Sequence, residues 1–339
     1  MSAPGPPRGP RPGDGSRGSR RFLQAALHSE QAGLLAALIL LCLVIASLTP
    51  VFVTGANIKN VLRDASLIAI TGTGMVMVIL LGEIDLSVGS IQAVIGILAV
   101  AVLNYTESVS LALLAALAGG AAVGVVNGLL VTRAGINSLI ATLGMMAILR
   151  GAAMVTTGAV SIQAEVEGFV EVGTGYLGPL PVPVLIMTGL LALFYYVLHH
   201  TVLGRYVYAV GGNSEAARHA GLPVDRIRVA IFTVGGVLAA LSAFVLASRL
   251  NSGQPNAGLG FELQVIAAVI LGGISLGGGV GTLSGACIGI LILTVLNNGL
   301  VLLNVSSFYH DIARGVVIIL AVYLDSRRKQ SLLRRLLRG

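Results

Sequence analysis

From residue 33 to residue 324 the sequence is a succession of apolar runs separated by short polar stretches. Most runs are close to the roughly 17–25 residues that an α-helix needs to cross a bilayer. Lipid offers no water to an unpaired peptide group, so spans of this kind must satisfy their backbone internally, as helices do. Only 10% of the residues are charged, against about a quarter in a soluble domain, and a soluble fold of this length could not hide the apolar remainder. The expected fold class is therefore all-α: a polytopic membrane protein with about ten transmembrane helices. The spans fall near residues 33–52, 62–81, 88–103, 110–131, 138–157, 182–198, 229–247, 263–276, 282–303 and 312–324. The third and eighth are short and flanked by Gly, which predicts broken helices buried in protein.

Charge supplies an orientation. The N-terminal stretch carries Arg8, Arg11, Arg17, Arg20 and Arg21, and the C-terminal stretch carries Arg327, Arg328, Lys329, Arg334, Arg335 and Arg338. Both are expected to be cytoplasmic, which requires an even number of spans. That count places Arg133 and the loop 204–228 on the cytoplasmic side. It places the loop 159–181, with Glu165, Glu167 and Glu171 and no Lys or Arg, on the other side. Lys59, Arg63 and Arg249 run against the rule. Residues 1–30, rich in Pro, Gly, Ser and Arg, hold too little apolar area to order themselves, and residues 326–339 form a second basic tail beside a transmembrane body, 31–325. No short apolar region with a small-residue cleavage site stands near the start, so no removed signal peptide is expected. Cys42 and Cys287 lie inside apolar runs and read as small hydrophobes.

The 45 Gly residues carry packing information. Lipid tails give little drive for helices to associate, and close backbone contact through Gly, Ala and Ser does that work. The runs at 119–128 and 272–290 are read as tightly packed helices on that ground.

The longest mixed polar stretch between apolar blocks is 204–228, GRYVYAVGGNSEAARHAGLPVDRIR. Its middle predicts one short helix. Asn213 or Ser214 serves as N-cap, Glu215 lies in the first turn, and Arg218 and His219 lie in the last, as the helix dipole prefers. Gly221 closes it in the left-handed conformation and Pro223 stops it. On residues alone this is either an ordinary surface helix or a mechanical contact whose small side chains, Ala216, Ala217 and Ala220, lie in a groove of another protein.

The run 81–90, LGEIDLSVGS, places Glu83 and Asp85 between two spans. Asp85 or Ser87 is expected to cap the following helix, and Gly89 to admit another backbone, so the block reads either as a cap and turn or as part of a moving route. Arg150 interrupts a span and must snorkel or find an acid. Asp311 and Arg314 stand at i and i+3. Asn297 and Asn298 suit interhelical hydrogen bonds, or ligand contacts. There is no phosphate-binding GxxxxGK[ST] loop, no His/Cys/acid set at metal spacing and no catalytic constellation in the sequence. Neither enzyme activity nor a cofactor or metal is expected, and the placement of the basic residues argues against nucleic acid as a partner. With no Trp and few aromatic residues, solute choice is expected to rest with another protein.

Four blocks in order resemble the membrane-spanning permease of bacterial sugar ABC importers, the ribose/xylose/autoinducer-2 type. They are LGEIDLSVGS at 81–90, NSLIATLGMMAILRG at 137–151, GRYVYAVGGNSEAARHAG at 204–221 and the Gly-rich block 262–305. The resemblance covers roughly residues 35 to 325. It implies a multi-pass protein of the bacterial inner membrane that pairs with a second permease copy, the same chain or a different one. It also implies an ABC ATPase that drives transport and a periplasmic sugar-binding protein that delivers a monosaccharide. Carried over by residue, ATPase coupling would fall on Asn213, Ser214, Glu215, Ala216, Ala217, Arg218 and Gly221. The pathway or its gating would involve Asp85, Ser87, Gly89, Ser90, Arg150, Asn297 and Asn298. Glu83 departs from the family pattern, which has a second Gly there. The alternative is a self-contained ion-coupled transporter working through Glu83, Asp85 or Arg150.

Overall fold

The computed structural model of the chain describes residues 30–306, 309, 310, 312, 315–317, 319, 320 and 323. The two Arg-rich tails, Asp311, Arg314 and much of the tenth expected span lie outside the described residues. In chain order the helices are α1 (Glu30–Leu48), α2 (Gly55–Leu80), α3 (Val88–Thr106), α4 (Val109–Thr132), α5 (Ser138–Thr157), α6 (Val170–Thr174), α7 (Val182–His200), α8 (Val202–Gly212), α9 (Ser214–His219), α10 (Val224–Leu250), α11 (Phe261–Leu271) and α12 (Leu283–Leu302). The β-structure among the described residues is two short antiparallel ladders, Ile162–Gln163 with Ser252–Gly253 and Tyr176–Leu177 with Leu180–Pro181. The protein is all-α and polytopic: eight of the described helices are long and apolar enough to cross a membrane, and α11 is a shorter apolar one.

Local chemistry sets the ends of the spans. The hydroxyls of Thr54, Ser108 and Thr282 and the amide oxygen of Asn137 accept from the first-turn N–H groups of α2, α4, α12 and α5. Gly158 closes α5 at φ 61°. The short span 88–103 of the sequence reading is corrected: α3 runs unbroken over 19 residues, because Asn104, Tyr105 and Thr106 continue the helix beyond the apolar run. The eighth span is short as expected, ending at Leu271 before a Gly-rich loop.

At the centre, α10 packs against α2, α3 and α4. Glycine makes this possible. A Cβ on Gly128 would sit 2.7 Å from Val229 Cα, one on Gly124 2.7 Å from Thr233 Cα, and one on Gly74 2.9 Å from Gly235 Cα. The run 119–128 is a backbone-contact stripe, as its composition implies. The same holds for 272–290, where a Cβ on Gly289 would meet the Gly272 nitrogen at 2.6 Å.

The loop 159–181 is fastened to the far end of α10. Phe169, fully buried, meets Phe244 edge to face with centroids 5.4 Å apart. Ser248 donates to Phe169 O and accepts from the Gly173 N–H. The three cations that offended the charge rule are engaged here. Lys59 and Arg63 lie over the Tyr176 ring, Arg63 also donates to Thr174 O at 2.7 Å, and Arg249 pairs with Asp64 at 2.6 Å.

Candidate functional site

The region 204–228 folds as two helices and the start of a third, where the sequence pattern showed one helix. Thr201 caps α8, whose Val207 and Val210 are buried while Arg205 is exposed. Asn213 then caps α9: its Oδ1 accepts from Glu215 N at 3.1 Å and Ala216 N at 2.9 Å. Closure is of the Schellman kind. Leu222 N donates to Ala217 O, Gly221 N donates to Arg218 O, and Gly221 takes φ +84°. Pro223 precedes Val224, the first residue of α10, so Arg226 and Arg228 belong to that span and not to the loop. Glu215, Ala216, Arg218, His219 and Ala220 are exposed, whereas Ala217 is buried and seats α9 on its own chain. Arg218 grips Asp225 with both terminal nitrogens, at 2.8 and 3.3 Å. Hydrogen bonding to that carboxylate pushes the guanidinium further above its already high ordinary value.

Behind α9, α8 lies directly on backbone. A Cβ on Gly211 would stand 2.7 Å from Gly279 N and would also run into the Leu80 carbonyl. One on Gly278 would stand 2.7 Å from Gly211 O, and one on Gly279 2.7 Å from Gly212 Cα. Tyr208 donates to Gly281 O at 2.9 Å, and Gly279 N donates to Leu80 O at 2.8 Å. The end of α2, the loop 273–281 and α8 are one contact layer, with α9 on its outer side.

That layer continues into 81–90. Glu83 Oε1 lies 3.0 Å from Arg228 Nε, an ion pair whose angle is too bent for a hydrogen bond. This supplies the partner of the extra acid. Asp85 and Ser87 do not cap α3 through their side chains. Instead Asp85 Oδ1 accepts from Ser87 N at 2.9 Å and Ser87 Oγ at 2.6 Å, and Asn127 of α4 donates to Ser87 Oγ at 2.9 Å. Burial pushes the Asp85 carboxyl up from the ordinary carboxylate range, and the bonds from Ser87 and Asn127 pull it part of the way back. The turn is sewn to α5 by Thr142, which accepts from Leu86 N and shares its hydroxyl hydrogen between Ser138 O at 2.8 Å and Ile84 O at 3.2 Å, and by Ser90, which donates to Met146 O. Gly89 admits a second backbone, since a Cβ there would lie 2.7 Å from Gly258 O.

Arg150 reaches that same segment. It neither snorkels nor depends on an acid alone: Nη1 donates to Pro255 O and Ala257 O, both at 2.8 Å, with Glu262 in electrostatic range. Asn298 and Asn57 exchange side-chain hydrogen bonds at 2.9 and 3.0 Å, joining α12 to α2. Asn297, beside it, lines a cavity of about 370 Å³ between α2, α3, α10, α11 and α12. Of the groups an ion-coupled mechanism would use, Glu83 and Arg150 thus hold internal partners, while Asp85 is engaged through Oδ1 and its buried Oδ2 has no hydrogen-bond partner among the described residues.

Sequence reasoning missed α8, Tyr208, Asn127, the Glu83–Arg228 pair and the cavity's Gln92 and Gln264. The signal for α8 was present in its Thr201 cap and its alternation of buried Val with exposed Arg. The others are pairings across helices, which no local pattern reports.

Residues 57–322 match the family described as the branched-chain amino acid transport system / permease component. The chain is 44% identical over 316 residues to the ribose import permease protein RbsC of Escherichia coli K12, covering 91% of this chain and 98% of the relative. It is 41% identical over 301 residues to RbsC of Bacillus subtilis, covering 88% of this chain and 94% of the relative. It is 39% identical over 300 residues to the L-arabinose ABC transporter permease protein AraH of Azospirillum brasilense, covering 88% of each. No solved structure gives a significant match.

Proposed function

The chain belongs to the permease-component family of branched-chain amino acid transport systems, and on that premise we propose that it is the membrane-spanning subunit of an ABC importer for a monosaccharide of the ribose or arabinose kind. It sits in the bacterial cytoplasmic membrane with both termini inside. A separate ATPase works on α9, a binding protein delivers the sugar from outside, and a second permease copy completes the pathway.

The observation that carries this reading is the mounting of α9. Glu215, Ala216, Arg218, His219 and Ala220 face outward, while Ala217 faces inward and Gly211 lies on the Leu80 and Gly279 backbone. A push on the outer face of α9 reaches the ends of α2 and α10 through close-packed backbone, which yields little under load. Asn213, Ser214 and Gly221 shape the helix; Glu215, Ala216 and Arg218 present it. The turn holding Asp85, Ser87, Gly89 and Ser90 then moves with that layer, Arg150 holds the 255–257 segment, and Asn297 and Asn298 stand on the route. The mechanism is mechanical gating by an outside motor, with no chemistry performed on the solute.

The test is the double variant Glu215→Ala/Arg218→Ala in the reconstituted complex. Uptake should fall at least tenfold while the chain stays in the membrane and the ATPase still hydrolyses ATP. Unchanged uptake would remove the coupling role from α9.

A further inference from the structure

Gln92 of α3 is 2% exposed, and neither polar atom of its amide has a hydrogen-bond partner among the described residues. A packed core rarely leaves both halves of an amide unpaired, because the desolvation of each is then uncompensated. Gln92 lines the cavity of about 370 Å³, together with Gln264, Thr294 and Asn297. This volume falls at the small end of the roughly 300–1,000 Å³ range of small-molecule sites.

The charges of the wall select among solutes. Asp64 and Arg249 both line the cavity and pair with each other at 2.6 Å. An amino acid would need a cation for its carboxylate and an anion for its ammonium, and the wall's two charges already face one another. What remains is neutral hydrogen bonding. Each amide offers a donor and an acceptor side by side, the pattern that adjacent hydroxyls match. The Thr294 hydroxyl donates to Ile290 O and keeps its lone pairs for accepting. Phe261 adds one aromatic face, and Leu67, Ile68, Leu246 and Val301 supply the aliphatic part of the wall. One aromatic face and a few amides make a weak site, which suits a solute that must leave again.

We propose that this cavity is a low-affinity transit site for a neutral, polyhydroxylated solute, held by the Gln92 amide with Gln264 and Asn297. The proposal rests on the importer reading and adds the place in the chain where solute is held.

The chain contains no Trp, so Val301→Trp at the cavity's exposed rim puts a single fluorescent reporter beside the site. The full chain in lipid nanodiscs is titrated with D-ribose and, separately, with L-leucine. A saturable change with D-ribose, half-complete on the order of millimolar, and none with L-leucine is the expected result. Gln92→Leu in the same background should weaken D-ribose binding about tenfold or more. Its melting temperature should hold or rise, because two unpaired polar atoms are gone. No saturable response to D-ribose, an equal response to L-leucine, or an unaltered titration in Gln92→Leu would overturn the site. If Gln92→Leu melts lower, Asn297→Ala decides: a parent-like titration there also overturns it. The two readings fail separately. D-ribose binding in a chain whose uptake ignores ATP would sink the importer reading and leave the site standing.

Discussion

The α8–α9 end and the cavity around Gln92 are made from similar materials, Gly-rich helices with scattered amides, yet they differ in what fills the space between helices. At the first, Gly211, Gly278 and Gly279 bring main chain onto main chain so closely that one added methyl has nowhere to go. At the second, about 370 Å³ is left open and Gln92 is unpaired. Close contact without voids transmits displacement, whereas an open cavity with a few polar groups in an apolar wall can hold a solute. On the proposed reading, force and solute are handled in different places, joined by α2, α3 and α10, which run from one to the other.

Substitutions test that division. The largest expected effect is Gly211→Val, which drives a side chain into the Leu80 backbone. Overpacking against main chain costs about 3 kcal/mol, and thermal melting of the purified chain should fall sharply with uptake lost. Next is Asn127→Leu, which takes a donor from Ser87 and leaves the buried Asp85–Ser87 pair short of a partner. About 2 kcal/mol of stability should go, and Asp85→Asn should cost less, because burial already favours the uncharged group. Glu83→Gln, measured the same way, should cost about 1 kcal/mol: its partner Arg228 is mostly buried, with 21% of its side chain exposed, and keeps a neutral acceptor. The smallest effect on stability belongs to Arg218→Ala. Its pair with Asp225 is exposed, so melting should be unchanged while coupled uptake drops. If Arg218→Ala instead destabilised the chain as Gly211→Val does, the distinction between a presented surface and a supporting layer would fail.

Much of this was legible in the residues. The apolar runs located eight described spans and α11, since a bilayer admits few alternatives to the helix. Asn213, Gly221 and Pro223 marked the limits of α9, because capping is local chemistry. The Asn298 bridge to Asn57 was foreseen in kind. The rest depends on what lies opposite. Nothing near Glu83 in sequence points to Arg228, and nothing near Gln92 tells that its buried amide is left without a hydrogen-bond partner among the described residues, beside a cavity. Ala217 looked like its neighbours Ala216 and Ala220, but the phase of α9 against α8 turned it inward. Among the site residues of the sequence reading, the structure brings Asp85 and Ser87 together and sets Gly89 and Arg150 against the same 255–258 segment. Asn297 stands apart, on the cavity wall.

The most direct measurement is solute accumulation in proteoliposomes holding the purified chain, with and without its ATPase and binding protein. Uphill sugar uptake is expected in the complete assembly with ATP, and none by the chain alone under any proton or sodium gradient. Uphill uptake by the chain alone would contradict the importer reading.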